Sequence, residues 1–417
     1  MAYRTLDRLF QEHDPQQGHV ALVRADVDVS VDEQGQGDVS RIAASIRTMK
    51  ELFAHGYAVL IAGHRKRPKG KEVDAMSMRH VVPALQRLLN QEVRFAGSWR
   101  GDAPERMAGN LQAGEVGLLE NTRFEAAEES KSAGERAQFA KRMAALAHVY
   151  VGDAVATMHR DHASITGVAA NLPAYMGRGL QREVEALRTA RDAKGGIAVI
   201  SGVKVETKLP LIRRFLETKD AVLLGGGVAN TFLATRYAIG DSLRDEAFLP
   251  EAGELMKTYG TGDQPRLLLP EDVLIIPTPS DADLRSLPGS VAYENVPVSQ
   301  VPAGHMILDI GQRARDAYME ALMAGTPGPR IWNGPVGYAE HRRFAAGSFS
   351  VALGMYQVAG DNKQTIIGGG DTTDFYTRYG IRPHQDTFVS MGGGATLEYL
   401  ANEDDAKMPG LRVLMDE

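Results

Sequence analysis

Gly368, Gly369, Gly370 and Asp371 follow the β-branched apolar run 365–367 and precede a helix-like segment. A strand that opens into bare backbone amides and one carboxylate suits a polyphosphate carried with Mg²⁺, because the amides donate to phosphate and the carboxylate is an oxygen ligand. A tight turn would use the same glycines, so the case rests on other strand-like runs that end alike. Ser201, Gly202 and Lys204 follow Ile197–Ile200, and Gly225, Gly226 and Gly227 follow Ala221–Leu224. Gly311 follows 306–310, Asn333, Gly334 and Pro335 follow 330–332, and Gly392, Gly393 and Gly394 follow 387–389. Glycine at nearly every strand end makes an edge of backbone that admits a nucleotide closely. Lys204 and Lys208 are four apart and share a helical face if a helix starts near Lys204; beside such an edge they are candidates for neutralising a transferring phosphoryl group.

The front half carries different chemistry at its strand ends. After 20–23, Arg24, Asp26 and Asp28 alternate with Ala25, Val27 and Val29, so an extended chain puts the charges on one face. Helical spacing of Ile42, Ile46, Met49 and Phe53 predicts a helix over 40–55 with Arg41 in its first turn, where a cation is unfavourable unless an anion binds. The strand 57–62 runs into GHRKRPKG, with His64, Arg65, Lys66 and Arg67; the strand 116–119 is followed by Arg123; and 149–151 leads to His159, Arg160 and His162. Strands alternating with helices (76–89, 133–147) predict parallel sheets, whose carboxyl ends hold ligands. The arginines therefore converge on one edge and imply a ligand with phosphate or carboxylate groups.

The elements that must position these residues fall into two sets, joined by the charged, helix-favouring segment GRGLQREVEALRTARDA. A chain of 417 residues has a prior of two or three domains, and 43% hydrophobic with 24% charged residues describes an ordinary globular protein. The net charge of -6 argues against a nucleic-acid partner, and the absence of cysteine excludes disulfides, thiolate catalysis and cysteine metal sites. No apolar run is long enough for a membrane span and the N-terminus lacks a signal-peptide core, so a cytoplasmic protein with no membrane partner is expected. GGGDTT puts its carboxylate directly after the glycines, unlike a dinucleotide fingerprint, and a Walker-type lysine loop is absent.

From about residue 18 to Leu411 the chain resembles phosphoglycerate kinases, through VRADVDVS, GHRKRPKG, LLENTRF, YVGDAVATMHR, SGVKVETK, LLGGGVANTFL, WNGPVGYAE, IIGGGDTTD and SMGGGATLE in the family's order. The resemblance implies two Rossmann-like three-layer α/β domains with mainly parallel sheets, facing across a hinged cleft. The N-terminal substrate domain would span 1–172 with the tail from about 400 to 417, the joining helix and hinge 173–193, and the nucleotide domain 194–399. It implies reversible, Mg²⁺-dependent phosphoryl transfer between 1,3-bisphosphoglycerate and ADP, giving 3-phosphoglycerate and ATP. Substrate contacts would come from Arg24, Asp26, Asp28, Arg41, His64, Arg67, Arg123 and Arg160. Lys208, Gly225, Gly226, Gly311, Asn333, Glu340, Gly369, Gly370, Asp371 and Thr372 would bind the nucleotide, with Asp371 on the metal. Arg41, Lys204, Lys208 and the amides of Gly392, Gly393 and Gly394 would surround the transferring group, and a monomer with small-molecule partners is expected.

The chain departs from the family at several points. Asp28 stands for Asn, Arg65 and Lys66 for Leu and Gly, Ser201 and Val203 for Gly and Ala, Met391 for Thr, and Gly152 and Val155 for Asn and Phe. None removes a charged group on which transfer depends, so activity is expected. A related kinase with another carboxylate acceptor, or a nucleotide-binding paralogue without turnover, are the alternatives.

Overall fold

A computed structural model describes residues 2–13, 19–262, 265–280, 283–361 and 363–416. The chain divides into two units, Met1–Glu185 with Asp404–Glu417, and Ala186–Glu403, so the division falls inside the helix Arg178–Asp192.

In the first unit six strands form one parallel sheet: β1 Val20–Ala25, β2 Ala58–Ala62, β3 Val93–Phe95, β4 Val116–Leu118, β5 Val149–Asp153 and β6 Ala174–Met176, in the order β3-β4-β2-β1-β5-β6. β1 and β2 are buried along their whole length, as parallel strands covered on both faces must be, which is why they read as unbroken apolar runs. Their register pairs Val20 with Ala58 and Arg24 with Ala62, so β1 and β2 end side by side. β1 stops at Ala25, sooner than the charged alternation extends. Val27 and Val29 nevertheless remain in the core, so the period of two persists past the last ladder bond. The helix expected over 40–55 runs Ser40–Ala54; that expected over 76–89 is split, with a short 3₁₀ turn at Met78–Val81 before Val82–Leu89, where Pro83 sits in the first turn. β3 and β6 escape sequence patterning because each is three residues long.

The C-terminal segment packs onto this unit. Leu414 is fully buried, its carbonyl accepts from Arg4 N, and its methyls fill the space above Gly152 that a side chain would need. Gly152 stands where an Asn was anticipated, and Leu414 occupies the room. Leu414→Ala is expected to lower stability by about 2–5 kcal/mol, read as an earlier urea midpoint at unchanged m-value.

The second unit holds β7 Ile197–Ile200, β8 Ala221–Leu224, β9 Leu267–Leu268, β10 Asp272–Pro277, β11 Glu294–Pro297, β12 His305–Ile310, β13 Arg330–Asn333, β14 Thr365–Gly368 and β15 Thr387–Val389. Six of them make a parallel sheet ordered β15-β14-β13-β7-β8-β9, with Trp332 fully buried in the core against Phe375 and Tyr376. The strand expected at 306–310 is β12, but it does not join that sheet. It pairs antiparallel with β10, whose other edge holds β11. Among the described residues the links between these three strands contain no crossover helix, without which parallel pairing is not reached. No helix among the described residues is long and apolar enough to cross a membrane.

Candidate functional site

Strand order in the first unit brings the carboxyl ends of β1, β2, β4 and β5 to one edge, and the residues anticipated there arrive with them. Arg41 lies in the first turn of Ser40–Ala54 and its Nη1 donates to the Asp28 carbonyl at 3.3 Å. Arg67 and Arg160 are exposed, with side chains available to solvent or a ligand. Arg123 donates to the Lys66 carbonyl at 2.9 Å and pairs with Glu129 at 2.9 Å. Asp26 Oδ2 accepts from Ala156 N at 2.7 Å, and burial raises its carboxyl above the usual range. Arg24 is 1% exposed, and its donors go to Ser164 Oγ, the Ala25 carbonyl and His64 Nδ1. Its charge thus lies beneath the edge.

The histidines of this edge are neutral at pH 7. Burial first, then nearby guanidinium groups, pushes His162 down to about 3 and His159 down to about 4, and His64 falls well below its ordinary value for the same reasons. The positive field therefore comes from arginine. Asp26 Oδ1, Arg123 Nε, His159 Nδ1 and His162 Nδ1 are buried with no hydrogen-bond partner among the described residues. Buried polar atoms are normally paired, and these four depart from that rule around one edge.

Of the two charges added at 65 and 66, neither lies free at this edge. Arg65 is buried and donates to the carbonyls of Val29 and Ala75. Lys66 has φ +58°, which explains the glycine it replaces; its N–H donates to Asp28 Oδ1 at 3.0 Å and its Nζ to Ser30 Oγ at 3.2 Å. Left-handed strain of about 1–2 kcal/mol exceeds the extra chain entropy of glycine, about 0.5–1 kcal/mol, so Lys66→Gly is expected to stabilise by about 0.5 kcal/mol in urea unfolding.

In the second unit the helix Val205–Thr218 begins just after Lys204, and Lys208 lies one turn on. The Lys208 ammonium contacts Asn333 Oδ1, and burial pulls its pKa down to about 8 while Asp371 holds it up. Asn333 Nδ2 is buried without a partner among the described residues. A Cβ on Gly369 would stand 3.0 Å from that amide, and φ is +97° there, so only glycine lets β14 turn into the helix Gly370–Arg378 at this point. Lys204, Lys208, Asn333, Gly369, Gly370, Asp371, Thr372, Gly393 and Gly394 line one cavity of about 330 Å³. Its floor holds the amino ends of Gly370–Arg378 and Gly394–Ala401. The Thr372 hydroxyl donates to the Gly368 carbonyl and accepts from Gly334 N, so the side chain braces the glycine turn rather than facing the cavity.

A second cavity of about 260 Å³ shares Gly202, Val203 and Asp371 with the first. Its walls are mainly apolar, from Leu284, Met306, Leu308 and Val336, with Gly226, Tyr338 and Glu340 at the same cavity. Gly225 packs on Val336 and Ser201, where a Cβ would come within 2.6 Å and 2.8 Å. Gly311 packs on the Asp272 carboxyl rather than lining this cavity, whereas its neighbour Ile310 does line it. Sequence reasoning missed these apolar walls, since 306–310 was read only as a further strand, with no pairing assigned to it, and 284 was unassigned. Asp309 was also missed; a carboxylate inside the apolar run MILDI was the available signal, and burial pushes it up to about 7 while Gly347 N and Ile310 N donate to it.

The family model described as phosphoglycerate kinase matches residues 12–403. The chain is 38% identical over 399 residues to the phosphoglycerate kinase of Thermomicrobium roseum, covering 95% of this chain and 96% of that one. It is 39% identical over 405 residues to the cytosolic phosphoglycerate kinase of Nicotiana tabacum, covering 96% of each. The solved phosphoglycerate kinase of Coxiella burnetii superposes with a TM-score of 0.79 at 28% identity over 99% of both chains. The chain belongs to the phosphoglycerate kinase family, phosphotransferases whose acceptor is a carboxyl group.

Proposed function

We propose that the family's reaction, reversible transfer of a phosphoryl group between 1,3-bisphosphoglycerate and ADP, is carried out here by two sets of residues. The observation that carries this assignment is the pair of cavities meeting at Asp371: one apolar and sized for a base, the other lined by lysine, glycine and helix amino ends for a phosphate chain. Glu340 then takes the ribose, and the amides of Gly370 and Thr372 take phosphate. Asp371 fits a Mg²⁺ that arrives with the nucleotide, since such an ion keeps waters and phosphate oxygens and asks for only one or two carboxylates. Bound there, it would neutralise phosphate charge.

On the first unit, Arg67, Arg123 and Arg160 hold the acceptor's phosphate, while Asp26 and the neutral His64 offer hydrogen bonds to its C2 hydroxyl. Asp28 orders Lys66 through its N–H and so keeps the Lys66 carbonyl under Arg123. Arg41, Lys204, Lys208 and the amides of Gly393 and Gly394 stabilise the charge on the group in transit, with no nucleophile from the protein. Donor and acceptor are held by different units, so transfer requires them to be brought in line. We place the bend in 173–193.

A coupled assay with ATP, Mg²⁺ and a panel of carboxylate acceptors tests this. 3-phosphoglycerate is expected to give the highest kcat/KM. Turnover no greater than that of Lys208→Ala, or a better acceptor in the panel, would defeat it.

A further inference from the structure

Beneath the basic edge lies a chain of hydrogen bonds that begins at a residue outside the proposed substrate contacts. Glu128 is 0% exposed, yet no lysine or arginine bonds to it directly among the described contacts. Its Oε1 accepts from Ser164 Oγ at 2.5 Å and from Thr122 Oγ1 at 3.2 Å, and its Oε2 from Ser164 N at 2.9 Å. Ser164 Oγ, having given its one proton to Glu128, must accept from its other neighbour, and Arg24 Nε donates to it at 2.9 Å. Arg24 Nη1 holds the Ala25 carbonyl at 2.7 Å, and Nη2 lies 3.0 Å from His64 Nδ1. A guanidinium has only donors, so His64 Nδ1 must be the acceptor and the ring proton must sit on Nε2.

We infer that Glu128, acting through Ser164 and Arg24, is a positioning residue that fixes the ring of His64 and its tautomer, leaving Nε2–H as a ready donor. The carboxylate takes the one proton of Ser164 and so leaves that oxygen to accept from Arg24 Nε, which together with the Ala25 carbonyl holds the fork whose Nη2 donates to His64. Without the Ser164 acceptor, Arg24 Nε loses its partner and the fork is free to rotate away from Nδ1. Both tautomers of His64 then become accessible, one of which turns a lone pair toward the ligand where a donor is wanted.

The kinetic consequence rests on the proposal that this edge seats the acceptor; the tautomer does not. Full-length protein labelled with ¹⁵N, with His64 assigned by its loss in His64→Gln, reports the tautomer directly from its ring nitrogen shifts. Wild type is expected to show Nδ1 unprotonated and Nε2 protonated. Ser164→Ala, which leaves Glu128 bonded to Ser164 N and Thr122 and so keeps the fold, is expected to give an average of both tautomers. Glu128→Gln should shift it in the same direction, because its amide nitrogen either opposes the Ser164 N–H or faces Ser164 Oγ and turns that hydroxyl's proton toward Arg24. In both variants KM for 3-phosphoglycerate should rise about 5- to 10-fold, with kcat and KM for ATP within about twofold. A single unchanged tautomer in both variants, or a wild-type ring protonated at Nδ1, overturns the relay. A changed tautomer with an unchanged 3-phosphoglycerate KM upholds the relay and instead removes His64 from the acceptor site.

Discussion

Asp371→Asn is expected to lower kcat by about 10²- to 10³-fold while the protein stays folded. Asp371 is exposed in the first turn of Gly370–Arg378, where its charge faces the helix amino end, and losing that favourable interaction costs only about 0.3–1 kcal/mol. The large effect must therefore come from the ligand side. Asp371 is common to both cavities, so it stands where base and phosphates would meet, and it is the carboxylate in the lining of the lysine- and glycine-walled cavity. The accompanying readout is the Mg²⁺ concentration that half-saturates ADP binding in calorimetry, which should rise at least tenfold. Asp371 also supports the charged form of Lys208, so its removal should move the lysine's titration below about 8. A variant with a wild-type Mg²⁺ requirement would exclude Asp371 as the metal's residue.

That carboxylate was visible in the sequence because strand, glycines and acid are contiguous, and local order alone places them at a strand end. The same holds for Lys204 and Lys208, whose spacing of four places them one helical turn apart. Arg24 was legible as part of the basic set but not as buried, since alternation assigns a face and cannot tell water from a serine in the helical turn that follows another strand. Ser164 lies 140 positions away and is brought to it only by the β1 and β5 pairing. Glu128 was missed for the same reason: an acid in the run EAAEES looks solvated until the chain folds over it. In the second unit the apolar cavity depends on β10, β11 and β12 forming a sheet of their own, a long-range choice between pairings that no local period encodes. The fold class needed only the alternation of strands and helices; the walls of the apolar cavity needed the exception to it.

Lys208→Ala should cost about 10²- to 10³-fold in kcat, and it should also erase one limb of the pH profile. Burial holds the ammonium down to about 8, so in the free enzyme it is charged below that pH and neutral above it. Of the lysine's two forms only the ammonium adds to the offset of charge on a group in transit, hence kcat/KM for ATP should fall about tenfold per pH unit above about 8. Bound phosphates favour the charged form, which displaces the corresponding limb in kcat to higher pH. Unfolding does not imitate this. Because the lysine's pKa is depressed in the folded protein, the unfolded chain binds more protons between about 8 and 10.5, and this group's contribution to stability rises with pH over that window. Activity lost at pH 9 while the urea midpoint holds would therefore trace to the ammonium, and a Lys208→Ala enzyme that kept the alkaline limb would trace it elsewhere.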